Sequence, residues 1–377
     1  MARRAAFIHS AELERYKYPD SCPFNVSRAG KTLRILESMD LLGGEDVSVV
    51  APEAAGRVVL KKFHTSKYLH TLQTAANGKY LPEALNMGIG TGDCPVFPDM
   101  YDYSAHACGA SLKGVELIVS GEAQVAFNPS GGLHHAGPER ASGFCYLNDV
   151  VLACMALAEE GKKVLYLDVD VHHGDGVAYA FYDRADVMTI SLHQNGRTLF
   201  PGTGFANEVG TGRGRGYCVN IPLPIGTYDE AYLEAFSSIA LPLIEAYGAD
   251  VFVFELGVDA LAGDPLANLR LTNNVYVEII EHLLRFEKPI LMTGGGGYQL
   301  GNTVRAWALG WTVLSGTASE DDAFLAVGGV MLESEEWQGG LRDRKLPAEA
   351  QQRQSITAAI EAVAEVIKAE IFPVHGL

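Results

Sequence analysis

Short apolar runs alternate along this chain with longer segments whose apolar residues recur every three or four positions. The runs predict buried or half-buried strands over 5–9, 47–51, 124–128, 164–170, 187–192, 217–223, 251–256 and 290–293. The longer segments predict helices over 27–42, 54–63, 67–76, 103–120, 148–160, 229–247, 272–286 and 302–314, with a short one at 179–182. In the first of these, Leu33, Leu36 and Met39 are spaced for one face. Strands and helices in this order predict a parallel α/β sheet. Further on, 334–347 is polar, and 354–369 sets Ile356, Ile360, Val363 and Ile367 on one helical face that should dock onto the main body. No repeat, low-complexity linker or second core interrupts the pattern. One α/β domain over 1–377 is the economical reading.

One run breaks its own pattern. VLYLDVDVHHGDG, residues 164–176, starts as a buried parallel strand and turns polar at every second position from Asp168. If the strand continues, Asp168, Asp170 and His172 share one face. A carboxylate and an imidazole two residues apart can then grip one cation. Asp259, just after VFVFEL, reads alone as a turn or helix-capping residue. Beside Asp170 and His172 it reads as the third ligand of a divalent first-row metal such as zinc or iron(II), with positions left for water and substrate.

Other loaded loops follow other strands. His134 and His135 stand after Gly131 and Gly132, and adjacent side chains normally point apart. An irregular loop, which the glycines permit, is needed to bring both to one cavity. One would serve as base and then acid, with Asp168 and Asp175 as unclaimed carboxylates to orient the rings. Tyr298 follows four glycines and could donate a hydrogen bond to a carbonyl oxygen. Phe144 and Phe200 could line a narrow apolar channel, and the loop 86–98 could cap the site. GTGRGRG, 210–216, lacks the lysine of a phosphate loop and reads as a surface turn.

Charge narrows the partners. The chain of 377 residues carries 46 acidic and 29 basic residues, a net charge of −17. Such a surface repels nucleic acid, and the clustered basic residues are few. Six scattered cysteines without a CxxC pair suit a reducing cytosol. The first residues lack an apolar signal core, and no 18-residue apolar run is present, so the reading is a cytoplasmic protein with no membrane partner.

Taken together, GGLHHAGPERASGFCYLNDV, LYLDVDVHHGDGV, SLHQNGRTLFPGTG, LGVDALAGDP and GGGGY, in that order, resemble the zinc-dependent histone deacetylase family, most closely its bacterial acetoin-utilisation branch. The resemblance spans about 7–311, with 315–377 expected to pack on it. It implies an arginase-like fold, a central eight-stranded parallel sheet with helices on both faces. It implies zinc (Fe2+ or Co2+ being compatible with the same ligands) on Asp170, His172 and Asp259. It makes His135, with Asp175, the principal base and acid, and His134, with Asp168, its companion. Tyr298 would polarise the acetyl carbonyl while water attacks the amide, releasing lysine and acetate. Gly143, Phe144 and Phe200 would shape the acetyl-lysine tunnel, Asp93 would hold the substrate backbone, Leu266 would stand at the rim, and Arg28 would border the acetate-release cavity. Potassium is implied at an inner site of Asp168, Asp170, His172, Ser191 and Leu192, and at a second of Phe181, Arg184, Val187 and Tyr217.

The implied substrate is an acetylated protein or peptide, with acetyl-CoA synthetase suggested by the branch name. Oligomeric state is left open. Two residues depart from the family pattern: Glu255 stands where glutamine is usual, and Leu199 replaces an aromatic. A buried Glu255 would either add negative charge behind the metal or hold a proton. The alternative in the same fold is an acetylpolyamine or other small-amide hydrolase. Leu266 argues against it, because polyamine-specific relatives often place an acid there.

Overall fold

The computed structural model describes residues 3–79, 81–317 and 340–377. Among them the strands are β1 (Ala5–Ile8), β2 (Val47–Val50), β3 (Val125–Asn128), β4 (Val164–Asp168), β5 (Val187–Gln194), β6 (Cys218–Leu223), β7 (Val251–Glu255) and β8 (Ile290–Thr293). They form one sheet in the order β2-β1-β3-β8-β7-β4-β5-β6, every pair parallel. Asn128 lies opposite Thr293, Thr293 opposite Glu255, Glu255 opposite Asp168, and Asp168 opposite Ser191. Five strands therefore deliver their following loops to one edge, where open α/β sheets bind ligands.

Both faces of the sheet are covered, which is why its strands read as continuous apolar runs. Phe7, Phe127, Leu165, Leu167, Phe252 and Phe254 face a core shared with Trp307 and Trp311. Ala6, Ala126, Val164, Tyr166 and Val253 face the opposite core with Val150, Val151 and Ala110. Asp168 and Glu255 have the parity of that second face. The helix Ala350–Glu370 buries Ile356, Ile360 and Ile367 and packs against β6 and the helix Asp229–Ala235.

Several boundaries differ from expectation. β4 stops at Asp168, because Asp168 Oδ1 turns back to accept from the Asp170 amide at 3.0 Å. Asp170 and His172 thus sit on a turn, not on a strand face. The short helix falls at Asp175–Ala180, ahead of 179–182. Of 54–63 only Arg57–Leu60 is α-helical. The segment 229–247 stays helical throughout but widens to a π-helical turn at Phe236–Ala240. In 210–216, Gly214 and Gly216 are buried, and the turn packs on 182–184 through a bond from Thr211 N to Tyr182 O at 2.7 Å. Residues 334–339 of the polar stretch lie outside the described residues.

Candidate active site

The loops after β3, β4, β7 and β8 meet at one corner of the sheet edge. His172 Nδ1 lies 3.1 Å from Asp170 Oδ1 and 3.0 Å from Asp259 Oδ2, and the three ligand atoms fall within 4.8 Å of one another. Relative exposure is 1% for Asp170, 7% for His172 and 0% for Asp259. Among the described residues neither carboxylate pairs with a lysine or arginine. Two buried acids at one point are costly without a cation, so the donor set fits a divalent metal. Burial would lower the pKa of His172, but the charges of Asp259 and Asp170 outweigh it and push the imidazole up to about 10. The pocket's field thus favours positive charge at this spot.

Backbone, not side chains, frames the other side. Gly296 N donates to Asp170 Oδ2 at 2.6 Å, and Val171 N donates to Asp259 Oδ1 at 2.8 Å. A Cβ at Gly296 would strike the Asp259 carboxylate, and one at Gly257 would strike Asp170. The run of glycines before Tyr298 is therefore a matter of space.

The two histidines do reach one cavity. Gly132, at φ +84°, turns the loop, and its missing Cβ leaves room for the backbone of Gly294 and Gly295. His134 Nε2 and His135 Nε2 lie 3.0 Å apart. His134 Nδ1 faces Asp168 Oδ2 at 2.9 Å, and His135 Nδ1 faces Asp175 Oδ1 at 2.7 Å. Burial works against charge on both rings. The carboxylates of Glu255, Asp168 and Asp170 override it at His134, whose pKa is raised well above the usual imidazole value. His135 is lowered to about 4 by burial and then by the neighbouring His134 charge. The two adjacent rings are thus pushed in opposite directions by their surroundings.

Tyr298 is held by its backbone, since Asp264 Oδ2 accepts from Tyr298 N at 2.7 Å. Its ring meets Phe144 at 5.7 Å and His172 at 6.5 Å between centroids. Burial and the charges of Asp259 and Asp170 push the phenol well above its ordinary pKa, so the hydroxyl remains a donor. Phe200 lies 5.0 Å from the His135 ring and 6.2 Å from that of His172. Gly143 has φ +54°, and a Cβ there would run into the His135 ring. Asp93 Oδ2 accepts from Gly143 N at 2.9 Å, which ties the loop 86–98 to the loop that carries Phe144. Leu266 is half-buried, its amide donating to Asp264 Oδ1 at 2.9 Å. Arg28 is buried, donates from Nη1 to Gly297 O at 2.9 Å, and stacks over Phe24 and Trp307.

The segments expected to hold potassium also meet. Asp168 pairs with Ser191 in the sheet, and Gln194 N donates to Val171 O at 2.8 Å, so 168–172 runs beside 191–194. Arg184 N donates to Phe181 O at 3.0 Å, and Thr189, two residues after Val187, donates from its amide to Tyr217 O at 2.9 Å. The Arg184 side chain points away to Asp186, 2.6 Å from Nη2 to Oδ2.

Several residues here escaped sequence reasoning. Tyr166, read as an apolar strand position, places its hydroxyl 2.7 Å from Asp168 Oδ2 and 2.6 Å from Glu255 Oε2. Its sole signal was a phenol two residues before Asp168, on the same strand face. His64 Nε2 accepts from Asn148 N at 3.0 Å, and Asn148 Nδ2 holds the carbonyls of His134 and Ala136. Asp264 and Tyr18, whose hydroxyl donates to Phe144 O at 2.9 Å, complete this support. A second cluster, His134, Asp170 and Glu255, also has ligand-like spacing. It shares Asp170 with the outer triad, and its other two members also meet Asp168 and Tyr166.

The chain belongs to the histone deacetylase family: residues 22–314 match the Histone deacetylase domain. It is 39% identical over 323 residues to "Acetoin utilization protein AcuC" of Bacillus subtilis (strain 168), covering 83% of each chain. It is 39% identical over 308 residues to "Histone deacetylase 8" of Xenopus tropicalis, covering 80% of this chain and 81% of that one. A crystal structure of an HDAC homolog complexed with SAHA superposes with a TM-score of 0.85 at 30% identity, over 97% of this chain and 99% of the other. The arginase/deacetylase fold follows, and this is a hydrolase of that family.

Proposed function

We propose that this protein hydrolyses the acetyl amide of N6-acetyl-lysine in proteins and releases acetate. The observation that carries the reading is the adjacent histidine pair, each ring oriented by its own carboxylate, beside the Asp170–His172–Asp259 triad. A divalent cation held by that triad, zinc on this reading with Fe2+ or Co2+ as substitutes, would supply Lewis-acid polarisation of the carbonyl and lower the pKa of water. His135, neutral with its Nδ1–H donated to Asp175, takes a proton at Nε2 from the attacking water and hands it to the departing lysine nitrogen. His134, faced by Asp168, stands beside it. The Tyr298 hydroxyl donates to the carbonyl oxygen as negative charge grows there. Phe144 and Phe200 enclose the lysine stem, Asp93 meets the substrate backbone, and Arg28 lies where acetate departs. Potassium at the two carbonyl-rich turns serves structure. The chain acts in the cytoplasm on acetylated proteins, acetyl-CoA synthetase being the first to try. No described helix is long and apolar enough to cross a membrane.

The test is acetate release from an acetyl-lysine peptide and from acetylspermidine, using loaded protein, metal-stripped protein and Tyr298→Phe. Peptide turnover that needs metal, and drops about 10²- to 10³-fold with the missing hydroxyl, supports the reading. Turnover of acetylspermidine alone would replace the substrate and keep the chemistry. Turnover of neither would sink both.

A further inference from the structure

Beside Phe200 lies a hollow that the chemistry above does not use. It encloses about 540 Å³, and its walls include Phe63, Phe200 and Pro201. The Phe200 ring also packs on His135, 5.0 Å between centroids, so the hollow adjoins the catalytic corner. Among the described residues that line it, Arg140 is the one arginine or lysine and Asp175 the one carboxylate. Asp175 is already engaged, its Oδ1 2.7 Å from His135 Nδ1. Arg140 is exposed, and among the described residues its side chain pairs with no acid and makes no hydrogen bond. Its backbone, by contrast, is pinned. Gly137 N donates to Arg140 O at 2.8 Å, Thr65 N to Pro138 O at 3.0 Å, and Ala141 N to Met87 O at 2.8 Å. The last bond joins the turn to the loop that carries Asp93. Burial would raise the Asp93 carboxyl, but bonds from Thr91 Oγ1 and Gly143 N, helped by the Arg140 charge, hold it below its usual value. The half-buried Ser142 adds a hydroxyl to the lining that makes no hydrogen bond among the described residues. A guanidinium and a hydroxyl over apolar walls complement a side chain with a short methylene stem and a carboxylate.

Resting on the deacetylase reading above, we propose that Arg140 is a specificity-determining residue, which selects substrates bearing an aspartate or glutamate within two residues of the acetyl-lysine. An acetyl-lysine whose stem passes Phe200 lays its chain neighbours over the hollow. An extended chain advances about 3.3–3.6 Å per residue, so only near neighbours reach Arg140. The preference runs against the charge of the whole molecule. A chain of net charge −17 attracts basic peptides at a distance, whereas Arg140 favours an acid at contact. Position separates the two influences, because the long-range field acts on a charge anywhere in the peptide.

The test uses full-length, metal-loaded protein and acetyl-lysine peptides that carry glutamate, alanine or lysine either close to the acetyl-lysine, on each side, or far from it. In the wild type, kcat/KM is about two- to fivefold higher with glutamate than with alanine at a near position, through KM. Arg140→Ala removes that ratio, and Arg140→Glu inverts it in favour of lysine. Each ratio compares peptides within one protein, so a general change in activity cancels. Added salt shrinks the wild-type ratio. A wild-type ratio near one, a ratio that survives Arg140→Ala, or a lysine preference at every position would overturn the proposal and leave the deacetylase reading standing. If no peptide is turned over, that reading falls, and the Kd of fluorescein-labelled peptides carries the same comparison. A glutamate preference in Kd that Arg140→Ala abolishes then supports the role of Arg140, and its absence removes it. If Arg140→Glu does not fold, the wild type and Arg140→Ala decide.

Discussion

The floor of the site and its mouth are built on different terms. On the floor, Tyr166, Asp168, Asp170, Glu255 and Asp259 are each at most 1% exposed and sit on strand ends or the first turn beyond them. Nearly every polar atom there is met by another at fixed length. At the mouth, Phe200 is 42% exposed, and Phe144, Asp93 and Leu266 are half-buried on loops. These are held by ring contacts and by a few hydrogen bonds within and between loops. The sheet thus fixes the chemistry, while the loops are free to select what enters.

Variants that separate kcat from KM test that division. His135→Ala should lower kcat about 10²- to 10⁴-fold with little change in KM. A KM that rose as far as kcat fell would show the floor also binding substrate. Asp175→Asn keeps the shape but weakens the partner of His135 Nδ1, and a kcat loss of about 10- to 100-fold is expected. Phe200→Ala acts at the mouth. It should raise KM about fivefold, equivalent to about 1 kcal/mol of lost ring contact, and leave kcat within about twofold. A larger kcat effect would show that the tunnel wall aligns the reacting amide.

The smallest effect concerns the layer joining floor to mouth. Burial holds His64 and His193 neutral, each lowered to about 4 from 6.5. The unfolded chain takes up these protons below 6.5 and the folded one does not, so stability is full above pH 6.5 and falls as pH drops toward 4. Thermal melting should show Tm falling by a few degrees between pH 7 and 5. His64→Gln should flatten part of that slope. An unchanged slope would remove His64 from the acid-sensitive set.

The strands and the Asp170–His172–Asp259 cluster are legible because each leaves a local mark. A buried strand ending in DVDVHHGD contradicts its own hydropathy, and a contradiction of that kind is visible in one dimension. Asp170 and His172 do come together as expected, but on a turn and not on a strand face, since β4 ends at Asp168. The sequence also paired each histidine with its carboxylate only through the family likeness. Spacing alone left Asp168 and Asp175 unassigned, because His134 and Asp168 meet across two different strands. Tyr166 was invisible for a related reason. A phenol in a strand looks like core until the neighbouring strand sets Glu255 against its oxygen.

The register of β3 with β8 has a consequence for how the molecule is made. Val125–Asn128 finds its in-sheet neighbour only at Ile290–Thr293, so the centre of the sheet stays open until some 290 residues exist. Local helices can form early, but this closure spans most of the chain and carries a large loop-closure cost. On the ribosome, Asp170 and His172 emerge long before Asp259 and the glycines that frame them. The Asp170–His172–Asp259 cluster is therefore completed late in synthesis, with the last strands of the sheet.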